Sequence, residues 1–105
     1  MRTAIASNGS NLQSELGLKF GRSTHFCIFD SEKSQIQFAS NPGHNINGGA
    51  GRLAVTFLTD NNIKQVIACE FGGQVKQLLS NLGIRIIIFP PNNNCIEDII
   101  KLLKQ

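Results

Sequence analysis

From residue 50 onward the hydrophobic pattern changes period repeatedly, and that alternation restricts the chain to a sheet covered by helices. Leu53, Ala54, Phe57 and Leu58 recur at helical spacing, residues 65–69 form a short apolar run, and Val75, Leu78, Leu79 and Leu82 return to helical spacing. Residues 84–89 are a second apolar run, halted by Pro90 and Pro91. Ile96, Ile99, Ile100 and Leu103 then make a last helical stripe. Apolar strands joined through helices imply right-handed parallel crossovers.

The first forty residues read differently. Residues 3–7 are a short strand closed by the turn pair Asn8 and Gly9, and Phe26, Cys27, Ile28 and Phe29 form a continuous apolar run. Residues 35–40 alternate Ile36 and Phe38 against Gln35, Gln37 and Ala39, as on a half-exposed strand near an edge. Residues 9–23 read as a polar loop with one helical turn around residues 12–16. Short links favour antiparallel neighbours, so the expected fold class is α/β and three-layered. Its mixed five-stranded sheet has the first three strands antiparallel, then parallel βαβ crossovers, with helices on both faces. With 105 residues, 41% hydrophobic and 16% charged, one domain spanning residues 1–105 is expected. Its high ratio of surface to volume leaves both a monomer and a homodimer open.

Helix ends add detail. Gly83 suits the left-handed position after the second helix. Asn94 is read as the cap of the third helix, with Glu97 three residues on. Cys95, beside it, is placed away from the loops discussed next and read as structural.

Strand direction gathers the chemistry. An antiparallel second strand starts, at His25, beside the end of the first at Asn8. The third ends at Asn41 on the same edge, and the fourth delivers Cys69, Gly72 and Gly73 there. Open α/β sheets bind ligands at this carboxyl edge, where connections reverse direction. Gly48, Gly49 and Gly51, and Gly72 and Gly73, each lie at a helix start, where backbone approaches a ligand closely and free N–H groups favour anions. Gly21 lies on the same rim, and Arg22 and Arg52 add positive charge. The same glycines also serve tight turns, and either reading fits one loop taken alone. Neither loop matches the phosphate-loop or dinucleotide fingerprint. His25, His44 and Cys69 are the borderline or soft metal ligands of this rim. Cys27 reads as core, and His44, in a polar loop, also reads as solvated.

Several classes of function are set aside. The net charge is +3, but the cations are scattered and the chain lacks Trp and Tyr, so nucleic acid is not the expected partner. No segment resembles a signal peptide or a membrane span, and Cys27, Cys69 and Cys95 are too widely spaced for a disulfide framework or a zinc site. A cytoplasmic protein is the expectation. The seven carboxylates do not converge and no nucleophile–base pair is visible, so an enzyme is not expected.

The segments RTAIASNG, FGRSTHFCIFD, NPGHNINGGAGRLAVTFL and IKQVIACEFGGQVKQLLSNLGIRIII, in this order, resemble the dinitrogenase iron–molybdenum cofactor family, which includes NifX-like nitrogenase accessory proteins. The resemblance runs over nearly the whole chain. It implies a ribonuclease-H-like mixed sheet and non-catalytic binding or carrying of an iron–sulfur or iron–molybdenum cofactor precursor, accessory to metallocluster biosynthesis. It also implies a protein partner in cluster delivery. On this reading Asn8, Gly21, Arg22, Gly48, Gly49, Gly51, Arg52, Gly72 and Gly73 cradle an anionic cluster, and His25, Cys69 or His44 ligates iron. The alternative is a metal-free anion-sensing or protein-interaction module on the same fold.

Overall fold

A computed structural model describes residues 1–91 and 94–105. In chain order the elements are β1 (Arg2–Ser7), β2 (His25–Asp30), β3 (Gln35–Ser40), α1 (Ala50–Asp60), β4 (Gln65–Ala68), α2 (Gly73–Asn81), β5 (Arg85–Ile88) and α3 (Ile96–Leu103). The strands form one sheet in the order β3-β2-β1-β4-β5. β2 runs antiparallel to both β1 and β3, whereas β1, β4 and β5 are mutually parallel. The mixed five-stranded sheet expected from the period changes is the one observed. No described helix is long and apolar enough to cross a membrane.

Side-chain alternation along the strands divides the core into two layers. Ala4, Ala6, Phe26, Ile28, Val66 and Ala68 meet α1 and α2 through Ala54, Leu58 and Leu79. On the other face Ile5, Cys27, Phe29 and Ile67 meet α3 through Ile96, Ile99 and Ile100. Alanines on the first face leave room for a chain of rings. Phe71 to Phe20, Phe20 to Phe26 and Phe26 to Phe57 have centroids 5.4, 5.5 and 5.8 Å apart, within the range where aromatic pairs attract.

The helical stripes are narrower than their spacing suggests. α1 buries Ala54, Val55 and Leu58, while Leu53 is 41% exposed; Leu82, after α2, is 51% exposed. Each helix touches the sheet along one side only, so the outer members of a broad stripe remain in solvent. Gly83 takes φ 73° as expected.

Residues 9–23 differ more. A single hydrogen-bonded turn closes at residues 11–14, where Ser14 N–H donates to Asn11 O at 3.0 Å, and the loop's one short helix is a 3-10 turn at Phe20–Arg22. Leu16 bridges Ser7, and Glu15 bridges Cys95. The cap of α3 is Cys95 rather than Asn94, and its N–H donates to the carboxylate of Asp98, not Glu97, at 3.3 Å. The start of α3 also lies on the carboxyl edge, contrary to the expectation for Cys95. β5 is parallel to β1 and β4, so it too exits there. The loop then closes this helix end, since Ile96 N–H donates to Ser14 O at 2.9 Å and Glu97 N–H to Leu12 O at 3.0 Å.

Candidate functional site

The feature that organises the carboxyl edge is a strap, residues 16–20, crossing from one face of the sheet to the other. Gly17 N–H donates to Ala6 O at 2.7 Å, Glu70 N–H donates to Leu18 O at 2.7 Å, and Phe20 N–H donates back to Glu70 O at 3.0 Å. Leu16 belongs to the α3-side core and Phe20 to the α1–α2 side. The strap lies where β1 separates an antiparallel neighbour from a parallel one, and it divides the rim in two.

On the α1–α2 side a groove of about 720 Å³ is lined by Gly49, Gly51, Arg52, Gly72, Gly73 and Gln74, among others. It continues through Gly49, Gly51, Gly72 and Val75 into a recess of about 430 Å³ bordered by Lys19, Gly21, Arg22 and Glu70. Here two helix starts converge. Neither has a side-chain cap or an acidic residue in its first turn. Among the described residues the N–H groups of Ala50, Gly51 and Arg52, and of Gly73, Gln74 and Val75, donate to no protein acceptor. Unsatisfied donors at the positive ends of two macrodipoles create an anion-attracting surface. α3 does not share it, because the loop has filled its donors.

The glycines of this groove do different things. A Cβ on Gly51 would lie 2.5 Å from Val75 Cγ2, so Gly51 lets α1 and α2 pack closely. Gly48 and Gly49 both take φ 76° and make the turn into α1. Gly72 and Gly73 have neither constraint: no atom lies within 4 Å of an added Cβ, and neither has positive φ. At these two positions the fold itself does not require glycine, and the open space lies over the groove.

Arg22 and His44 are brought together as a clamp. Arg22 Nη1 donates to Ile46 O at 2.8 Å, and His44 Nδ1 lies 3.0 Å from Arg22 O. Sequence reasoning used Asn41 only to mark a strand end, yet it locks this corner. Its Nδ2 donates to Gly21 O and Ser23 O at 3.2 and 2.9 Å, while its Oδ1 accepts from Gly43 N–H at 2.9 Å. The Asn-Pro-Gly turn signal was the available clue. Asn41 is 5% exposed, so Asn41→Ala is expected to strand two buried backbone groups and one part-buried one, and to cost about 2–4 kcal/mol. Chemical denaturation measures this; a loss within the scatter of surface substitutions would contradict the clamp.

The remaining candidates lie elsewhere on the rim. Asn8 and Cys69 line a separate recess of about 310 Å³ on the α3 side of the strap, with Glu15, Leu16, Leu18, Pro90, Pro91 and Asn94. His25, half-buried and paired in register with Ser7 and Ser40, has Nδ1 2.9 Å from Thr24 Oγ1. Among the described residues no three His, Cys, Asp or Glu side chains are grouped so as to hold a metal ion. Burial, followed by the Glu70 carboxylate, raises the pKa of the Cys69 thiol. Burial alone pushes Cys27 from 9.0 up to about 12. Folded Cys27 therefore keeps its proton while the unfolded chain loses it, so this thiol's stabilising contribution is complete below pH 9.0 and declines as pH rises towards about 12. Unfolding midpoints measured across that window should fall, and Cys27→Ala should flatten the fall. An equal slope in the variant would exclude this thiol as the cause.

A family model described as dinitrogenase iron-molybdenum cofactor matches residues 1–105. The apo form of the orange protein from Desulfovibrio gigas has the same fold, with TM-score 0.89 at 19% identity over 97% of this chain and 85% of that one. A Thermotoga protein of the DUF35 family, provisionally labelled NifB, superposes with TM-score 0.81 at 24% identity, again over 97% and 85%. The protein PH0822 superposes with TM-score 0.82 at 25% identity over 99% of this chain and 88% of its own. No curated protein sequence matches the chain significantly.

Proposed function

The chain belongs to the dinitrogenase iron–molybdenum cofactor family, and on that premise we propose that it binds and carries an anionic iron–sulfur or iron–molybdenum cofactor precursor without transforming it. The observation that carries the reading is the pair of open helix starts. Among the described residues, six free N–H groups from α1 and α2 border the groove and its adjoining recess, with Arg52 and no first-turn carboxylate. Such a surface attracts an anion through dipoles and one full charge, without a cage to dismantle on release. Gly72 and Gly73 keep the groove wide enough for a cargo larger than a simple oxyanion.

Direct ligation of iron, in this reading, falls to Cys69, His25 or His44, which lie on the rim outside the groove that attracts the anion. Cys69 works against its own raised pKa, and cargo binding there would have to draw off the thiol proton. Asn8 borders the same recess as Cys69, whereas Gly21 and Arg22 border the recess beside α1 and Gly48 makes the turn into that helix. The accessory role places the protein beside a delivery partner in metallocluster assembly.

Anaerobic incubation with iron and sulfide, or with an isolated cofactor precursor, should give a coloured species that co-elutes with the protein. A colourless protein under both conditions would remove the carrier reading. Cys69→Ala and His25→Ala together should alter the spectrum, and an unchanged spectrum would remove these two ligands. One observation supports a second reading. The α1–α2 groove is lined by no thiol or imidazole, which suits a metal-free anion-sensing or protein-interaction module. Phosphate or sulfate binding there, without colour, would favour that alternative.

A further inference from the structure

The two edges of the sheet are treated differently. Neither edge strand contains an acid, lysine or proline, but β3 carries Gln35, Gln37 and Ser40 along its length, whereas β5 is Arg85 followed by three isoleucines. Natural edge strands usually carry acids, lysine or proline to prevent pairing with another chain. β5 ends the sheet beside β4, and among the described residues no further strand lies on its far side.

The hydrogen-bond parity of β5 specifies what is left open. Arg85 N–H donates to Lys64 O at 2.9 Å and Phe89 N–H to Ala68 O at 3.0 Å, so residues 85, 87 and 89 turn their main-chain groups towards β4. Ile86 and Ile88 turn both N–H and C=O outward. The free stretch is bounded at each end: Ile84 N–H is already committed to Leu79 O at 2.9 Å, and Pro90 has no N–H.

We propose that β5 pairs antiparallel with β5 of a second copy about a twofold axis through Ile87, forming a continuous ten-stranded sheet. Ile86 then opposes the partner's Ile88, and Ile88 opposes the partner's Ile86. This register uses every free donor and acceptor of the two residues, in four hydrogen bonds. Shifting the axis to Ile86 leaves Ile88 C=O opposite the occupied Ile84 N–H, and shifting it to Ile88 sets Ile86 against Pro90. The same register places Arg85, the one charge of the strand, opposite the partner's Phe89 rather than another cation, where a guanidinium is attracted to the ring. Ile88, 55% exposed in the single chain, is covered by Ile86 of the partner subunit. The twofold sends the two carboxyl edges in opposite directions, so each groove stays open, and the pairing is independent of the cargo assignment.

A stable interface takes about 800 Å² per partner, roughly one seventh of the 5878 Å² surface here. Four-residue strands supply less, so a reversible dimer in the micromolar range is expected. Sedimentation across micromolar to millimolar concentrations should show it, and hydrogen exchange should show Ile86 and Ile88 amides gaining protection with concentration. Ile88→Lys, at an exposed position, should weaken the dimer about a hundredfold while circular dichroism and the unfolding midpoint of the dilute protein stay unchanged. A monomer throughout this range overturns the proposal. So does a dimer whose Ile86 and Ile88 amides exchange at the monomer rate, or one that Ile88→Lys leaves equally tight.

Discussion

Gly73→Asp is expected to make the protein more stable and to abolish most of its cargo binding. The two effects have opposite signs because Gly73 begins α2 without packing against anything. Replacing an unconstrained glycine reduces the freedom of the unfolded chain, and a carboxylate in the first helical turn interacts favourably with the macrodipole. Together these contribute about 1 kcal/mol, or a rise in Tm of about 4–8 °C for a domain of this size. The same carboxylate sits among the free N–H groups that border the groove and repels an anionic cluster. Binding should weaken about a hundredfold. Gly51→Ala is the informative contrast, because its methyl group would collide with Val75 Cγ2. There, stability and binding should fall together. Thermal melting and cargo titration of both variants separate the cases, and undiminished binding by Gly73→Asp would move the cargo away from the α1–α2 groove.

Phe20→Ala should cause the largest loss of stability among substitutions near the site, about 3–5 kcal/mol, against a total of roughly 5–15 kcal/mol for a typical domain. Phe20 is 1% exposed and lies between Phe26 and Phe71, where it fixes the end of the strap in the α1–α2 core. Gly21 follows immediately and lies so close to Gly51 that an added Cβ would be 3.3 Å from the Gly51 Cα. Removing the ring leaves a cavity between two rings and frees the strap from α1, so groove and core should suffer together. Phe20→Leu should recover most of the stability by refilling the volume. Urea denaturation measures both, and a Phe20→Ala protein as stable as the parent would show that the strap is not anchored by this ring.

The limits of what could be read from sequence follow the range of the interactions. Gln35–Ser40 as a strand, the glycine-opened helices and Gly83 as a helix stop depend on local periodicity and backbone geometry, which neighbouring residues encode. The convergence of Gly49, Gly51, Gly72 and Gly73 was also legible, since parallel strands deliver their connecting loops to one edge. Asn41 as a clamp was not. Its partners Gly21 and Ser23 are about twenty positions away, and no local pattern announces them.

The loop of residues 9–23 marks the boundary most clearly. Composition identified it as polar and irregular, but its hydrogen bonds go to β1, to the segment after β4 and to the start of α3, all distant in sequence. Those bonds decide which helix starts are closed and which stay open. Sequence by itself determined that glycine-opened helices would meet at one carboxyl edge, because period and strand direction are local properties. Only the tertiary structure decided that the edge is split by a strap, with α3 satisfied by loop carbonyls and α1 and α2 left with free donors. Pairing between distant backbone groups depends on the assembled sheet, and no short stretch of residues specifies it.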